Sequence, residues 1–371
     1  RRIRIYSNMK NYNKTPHQTA YDALNACASP DGFVAGAHHF VDLWARDSLF
    51  ATLGANVVGM SRISEKTIET FLHFQRADGL VPFLIRRSKL TIGKYFGHPT
   101  YLTSPKAQFR SSQSGGIVPD GGLMTVIAAH ALGDRKFFQK HERQLQQAIA
   151  WYERRFGDSL ISEWFQCEWA DAIMKRGNTL YTNVLYWKAL GDIGDTEKQN
   201  WIGSCIQREL WNGEYFSDWK SVFRHDYFTS YANMLAVVWG LATPAEAQSI
   251  LSYAKCYCWN TFTLETNYPK YPAWRIPIQN YLVGMADYHN RGCLWLQPGI
   301  LYAVALKKSG RAKEARRVLK KISEKIVEYN GVHEVYEKDG SPARRFFYRA
   351  EEPFAWSAAL YIWAHSICFS K

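Results

Sequence analysis

Four short polar islands interrupt an apolar, aromatic-rich chain, and their residue types are those of acid–base chemistry. The first is Trp44-Ala45-Arg46-Asp47, inside HHFVDLWARDSLFATLG. The second is IVPDGGLM, which carries Asp120. The third, SEWFQCEWADAIMKRG, holds Glu163, Glu168, Trp169 and Asp171. The fourth runs from GVHEVYEKDG to YRAEEPFAWSAA and holds Glu334, Glu337, Glu351 and Glu352. DYHNRGCLW adds His289 and Trp295 as a fifth. Carboxylates gathered with indole rings suit hydrolysis of a glycosidic bond: one carboxylic acid protonates the leaving oxygen while a carboxylate activates water. Such chemistry requires no cofactor.

Other chemistries lack their signatures. The chain has no GxSxG elbow, no phosphate-binding loop and no GxGxxG fingerprint. Its histidines form no HExxH, and the Cys256-Tyr-Cys258 spacing suits no zinc site. Seven cysteines without a framework spacing read as buried thiols in a reducing compartment, so the expected location is cytoplasmic. No segment approaches the ~18 apolar residues of a membrane span. The net charge is +13. No nucleic-acid motif accompanies it, and many basic residues fall on expected outer helix faces, so a solvated surface is the simpler reading.

These islands need a scaffold, and the periodicity is helical almost throughout. Helices are expected at 17–28, 45–59, 61–77, 121–132, 136–156, 178–191, 196–210, 228–241, 244–255, 291–309, 311–329 and 353–369. Thr243-Pro244-Ala245-Glu246 is a capping box with proline at the first helical position. Ser61 and Asp195 also read as caps. In 311–329, Ala312, Ala315, Leu319, Ile322 and Ile326 recur at three- and four-residue steps among Lys and Arg. Its partner 291–309 is far less charged, which suits an outer and an inner helix. Irregular stretches lie at 78–118, 157–177, 211–227, 256–290 and 330–352. Their Trp, Tyr, Phe, Pro and Gly content suits ordered loops framing a site. No linker divides the chain, so residues 1–371 read as one domain. In a ring of helix pairs the islands would meet at one mouth.

In order and spacing, the islands resemble those of (α/α)6-barrel glycoside hydrolases. They look most like the amylo-α-1,6-glucosidase domain of glycogen debranching enzymes, and next like neutral/alkaline invertases. The resemblance runs from about 38 to 365. It implies an all-α fold, six inner and six outer helices with long ordered loops at the mouth. WARDSLFATLG resembles the family's W-x-R-D-T/S segment, which assigns Trp44, Arg46 and Asp47 to the sugar pocket. The alternative for the Arg–Asp pair is an ion pair at a helix N-terminus. VPDGGLMTVIAAH implies a further sugar contact for Asp120, against a plain turn aspartate. CEWADAIMKRGNTLYTN resembles the block carrying the general acid. It names Asp171, with Trp169 as a platform and Glu163 and Glu168 as rivals. DYHNRGCLW implies that His289 and Trp295 line the sugar site. The sequence departs from the family there: Arg291 intrudes, which would suit an anionic substrate group. HEVYEKDGSPARR implies Glu334 as the catalytic base, with Glu337 as rival. Phe354 replaces a glutamine before Ala355-Trp356-Ser357, and Trp356 is a further candidate contact. The resemblance thus implies an inverting, exo-acting α-glucosidase on an oligosaccharide or small glycoside. A sucrose-hydrolysing relative and a non-catalytic sugar-binding scaffold are the alternatives.

Overall fold

The computed structural model describes residues 14–95 and 98–370. Among them are twelve helices of ten residues or more. They are α1 (Pro16–Ala26), α2 (Ala45–Val57), α3 (Ser61–His73), α4 (Asp120–Ala131), α5 (Arg135–Phe156) and α6 (Leu180–Asp192). The remainder are α7 (Thr196–Leu210), α8 (Ser230–Trp239), α9 (Pro244–Tyr253), α10 (Leu296–Lys308), α11 (Ala312–Glu328) and α12 (Ala355–Phe369). All twelve expected helices are present, and about half of the chain is helical.

Local chemistry starts several of them. Thr15, Asp134 and Asp195 accept backbone N–H groups at the heads of α1, α5 and α7. Thr243 and Glu246 form the reciprocal capping box of α9. Ser61 does not cap α3; it is the first helical residue, and the head of α3 has no side-chain cap.

Two helix populations result. Every residue of α4 from Asp120 to Ala129 is buried, as is every residue of α10 from Leu296 to Leu306. In α11 only one stripe is buried: Ala315, Val318, Leu319, Ile322 and Ile326. A helix apolar on all sides must be surrounded by protein, whereas a striped one faces water. Accordingly α2, α4, α6, α8, α10 and α12 pack each on the next, and α12 packs back on α2. Each has an outer partner: α3, α5, α7, α9, α11 and α1, respectively.

The connections are asymmetric. Inner-to-outer turns are short and contain a left-handed glycine: Gly59, Gly133, Gly194, Gly240 and Gly310. Outer-to-inner connections are long, and they are more ordered than their sequence suggested. Leu84–Ser88 pairs with Leu43–Trp44 and with Tyr101–Gln108. A four-stranded sheet joins Asn178–Thr179, Ser217–Lys220, Arg224–Thr229 and Asn267–Tyr268. Leu294–Trp295 pairs with Val335–Tyr336. The last pairing starts α10 five residues later than its periodicity predicted, because 291–295 is spent on a turn and a strand. Several of these strands run straight into an inner helix, as Trp44 does into α2 and Trp295 into α10.

Candidate active site

None of the six inner helices has a side-chain cap at its head. Their first N–H groups and the positive ends of their dipoles therefore face whatever the loops bring to that end. The polar islands lie there.

Arg46 and Asp47 open α2, about 100° apart around the helix axis, so they serve different neighbours. Arg46 reaches across to the head of α4. Its Nε donates to Asp120 Oδ2 at 2.9 Å, and Nη2 lies 2.8 Å from the same oxygen. Nη1 donates to the Trp169 carbonyl at 3.5 Å, and the guanidinium sits 5.9 Å from the Tyr181 ring centroid. The ion pair that the sequence offered as an alternative exists, but Arg46 forms it with Asp120 rather than Asp47. Asp120 Oδ1 is buried without a partner. The half-buried Asp47 carboxyl makes no side-chain hydrogen bond or ion pair among the described residues. Burial raises its pKa to about 7, with Arg46 opposing and Glu334 and Asp120 adding to the rise.

Asp171 lies in the loop between α5 and α6. Its carboxyl keeps 42% of its surface open, facing a recess. Withdrawal from bulk water raises its pKa to about 6; Arg46 opposes the rise and Asp120 favours it. His289 Nδ1 stands 3.8 Å from Asp171 Oδ1 and accepts the Ala172 N–H at 3.4 Å. Burial, with Arg46 and Lys175 nearby, holds the His289 pKa well below the usual imidazole range, so this ring is neutral. Trp169 meets His289 edge-on at 5.1 Å and Trp295 at 6.2 Å. His289 and Trp295 stack at 5.0 Å with 19° between planes. Trp44 lines the recess with Arg46 and Asp171. Trp356 lies deeper, stacked on Phe50 at 5.5 Å and edge-on to Tyr231 at 5.4 Å. The indole N–H groups of Trp44, Trp169 and Trp356 are buried without protein partners.

Glu334 is buried and held from three directions. Tyr288 donates to Oε1, Tyr348 to Oε2 at 2.5 Å, and the Glu351 N–H to Oε2 at 3.2 Å. Burial raises its pKa, and the two tyrosine hydroxyls pull it back. Tyr288 and Tyr348 were missed by the sequence reading. Only the position of Tyr288, one residue before His289, offered a signal. Glu351 was named only as part of an acidic island, and its role is structural. It accepts the N–H groups of His38, His39 and Phe40 at 2.7, 2.8 and 3.1 Å, and His39 Nδ1 lies 2.7 Å away. Burial would raise its pKa, but these partners bring it below the usual carboxylate value. A Cβ on Gly36 would come within 2.2 Å of Glu351 Cγ, so this seat requires glycine.

The rivals are engaged with other partners, although Glu168 lines the same recess as Asp171. Glu337 receives both Arg345 Nε at 2.8 Å and Nη2 at 2.7 Å. Glu168 pairs with the buried Lys175, which also bonds Asp218 at 3.0 Å. Glu163 accepts the Thr179 hydroxyl and lines a different cavity. Arg291 pairs with Glu265 and donates to the carbonyls of Tyr257 and Asn267, both at 3.2 Å, so most of its guanidinium is committed to protein partners. The dipeptide Tyr288-His289 therefore touches both candidate catalysts, Glu334 through its phenol and Asp171 through its imidazole. Beside Asp171 the recess is narrow, about 60 Å³, and is walled by Arg86, Gln108, Gln113 and Gln166 among others. Among the described residues, no group of three or more His, Cys, Asp and Glu side chains forms a metal-binding cluster. No helix among them is long and apolar enough to cross a membrane.

No family model matches the chain, and no curated protein matches it. Its fold, however, is found among solved structures. A GH63 mannosylglycerate hydrolase from Thermus thermophilus, in complex with Tris and D-glycerate, superposes with a TM-score of 0.68 at 16% identity, covering 94% of this chain and 99% of that one. The same enzyme in complex with glucose gives 0.66 at 14% over the same shares. A wild-type glycosidase gives 0.69 at 14%, covering 95% and 96%. The chain thus has a fold like that of GH63 glycoside hydrolases over nearly its whole length.

Proposed function

We propose that the protein is an inverting glycoside hydrolase built on an (α/α)6 barrel, acting on a small glycoside. The closed circuit of six inner helices, each with an outer partner, supports the barrel. One observation carries the activity. Two carboxyl groups stand in opposite chemical settings: Asp171 lies beside the neutral His289, and Glu334 accepts a hydrogen bond from the adjacent Tyr288. Asp171 is an open carboxyl with a pKa raised to about 6, suited to donate a proton. Glu334 is fixed by two phenols and a peptide N–H, suited to orient and deprotonate water.

In this mechanism the sugar sits over the neutral His289–Trp295 stack and Trp169, with Arg46, Asp47 and Asp120 taking its hydroxyls. Asp171 protonates the glycosidic oxygen. Glu334 removes a proton from water on the opposite face, and the anomeric configuration inverts. That geometry calls for carboxyls about 6.5–9.5 Å apart. Once burial holds the His289 ring neutral, it competes with Asp171 for no proton.

The substrate reading follows the recess. The recess beside Asp171 is narrow, and we read it as a place for a small leaving group rather than for a branched glucan. Arg86 and the glutamines Gln108, Gln113 and Gln166 suit a polar, even anionic, aglycone. Structurally similar proteins carry glucose and D-glycerate, so glucosyl- and mannosylglycerate head the panel, followed by sucrose, trehalose, maltose and isomaltose. The test is sugar release by the wild type, Glu334→Gln and Asp171→Asn, with NMR of the first anomer formed. Release that survives both substitutions, or retention of configuration, would sink the assignment.

A further inference from the structure

A cavity of about 380 Å³ lies outside the proposed catalytic recess, in the size range of small-molecule sites. Three arginines line it: Arg110, Arg155 and Arg176. All three are solvent-exposed, and none forms an ion pair with a carboxylate among the described residues. Each is held by something that leaves N–H groups free. Arg110 Nη1 donates to the Gly115 carbonyl at 2.8 Å. The Arg155 guanidinium lies 5.5 Å from the Trp151 ring centroid. Arg176 lies 4.0 Å over Trp164. Aromatic faces hold a guanidinium by its plane while its edge stays available, and that edge matches phosphate oxygens.

Glu163 completes the lining. It is buried, its Oε1 takes the Thr179 hydroxyl, and its Oε2 has no partner. Burial, with Glu168 adding, raises its pKa to about 8. At neutral pH it is therefore mostly uncharged and does not cancel the arginines. The 110–117 turn, closed by Ser111 N to the Gly116 carbonyl at 2.8 Å, forms part of both this cavity and the Asp171 recess. The cavity is thus a surface pocket distinct from the recess, and the two share this turn as a wall.

We propose that this cavity is a second ligand site, for a phosphorylated monosaccharide. The three guanidinium edges take the phosphate, and the exposed part of Trp164 and the serine hydroxyls of the wall take the sugar. Its volume suits one pyranose with one phosphate.

The test is titration calorimetry with glucose 6-phosphate, inorganic phosphate and glucose, using Glu334→Gln protein so that no turnover intervenes. Glucose 6-phosphate should bind at least tenfold more tightly than inorganic phosphate. The double variant Arg155→Gln/Arg176→Gln should lose about tenfold or more in that affinity while its glucose affinity is unchanged. Arg176→Lys, which keeps the charge but not the fork, tests the same contact should the double variant fold poorly. It should bind several-fold more weakly than its parent. No binding of glucose 6-phosphate, binding no tighter than phosphate, or affinity unaltered by these substitutions would each overturn the proposal. Because the readout is binding in a variant lacking the proposed base, failure here leaves the catalytic assignment standing, and failure there leaves this one.

Discussion

The two ends of the inner helices are built by different rules. At the C-terminal end, five short turns repeat one device, a left-handed glycine between an inner and an outer helix. A Cβ added to any of these five glycines would meet nothing within 4 Å, so the turns are open and only their left-handed backbone calls for glycine. At the N-terminal end the helix heads lack side-chain caps and the connections are long. One end spends its residues on stability. The other holds charges and strain that stability alone would not select.

If that division is real, substitutions at the two ends should separate activity from stability. The largest effect belongs to the carboxyls. Glu334→Gln and Asp171→Asn should each lower kcat by about 10²–10⁴-fold with little change in melting temperature. Equal loss of kcat and stability would break the comparison.

Gly36→Ala comes next. The new Cβ would push Glu351 from its seat against His38–Phe40, costing about 1–3 kcal/mol. It should also lower kcat, because the Glu351 N–H bonds Glu334. Urea unfolding and steady-state rates would read both.

The pH profile sharpens the assignment. Asp171 acts while protonated and has its pKa at about 6. Hence kcat/KM should fall as pH rises through about 6, approaching tenfold per unit, and Asp171→Asn should abolish that limb. Glu334 acts while ionised, so it governs the acid limb. Tyr348 donates to its charged form and lowers its pKa. Tyr348→Phe should therefore move the acid limb to higher pH, with a modest loss at the optimum. An unmoved acid limb would mean that Glu334 is not the base.

The smallest effect is expected at the other end. Gly133→Ala places a Cβ at φ +69° in an open turn, which costs about 1–2 kcal/mol. Its kcat should equal the wild-type value once folding is complete. A changed kcat would show that the short-turn end also shapes the site.

Helix order, capping and the inner–outer distinction were legible because they depend on neighbours within one turn. Thr243–Glu246 signals a helix head on its own, and the stripe of 312–326 signals one buried face. The ribbons in the long connections were not legible. Most of these strands have two to six residues, too few for alternation to stand out, and the longest, Tyr101–Gln108, is interrupted by Pro105. The site candidates were legible by type and by resemblance, but their contacts were not. Arg46 bonds Asp120, 74 positions away, rather than its neighbour Asp47. Glu337 is consumed by Arg345 and Arg291 by Glu265, so two plausible candidates fall to partners that no local pattern announces.

By itself, the sequence determined the twelve helices, which of them must be enclosed, and that carboxylates and indoles cluster in the long connections. Hydrophobic periodicity and caps are short-range, so they survive without knowledge of the fold. Tertiary structure alone decided which carboxyl is free and which is spent. Glu351 finds the N–H groups of His38 to Phe40 some 310 positions away, and Glu334 finds two phenols from different loops. A carboxyl's ionisation depends on burial and on the charges and donors around it, and the path of the chain sets all of these.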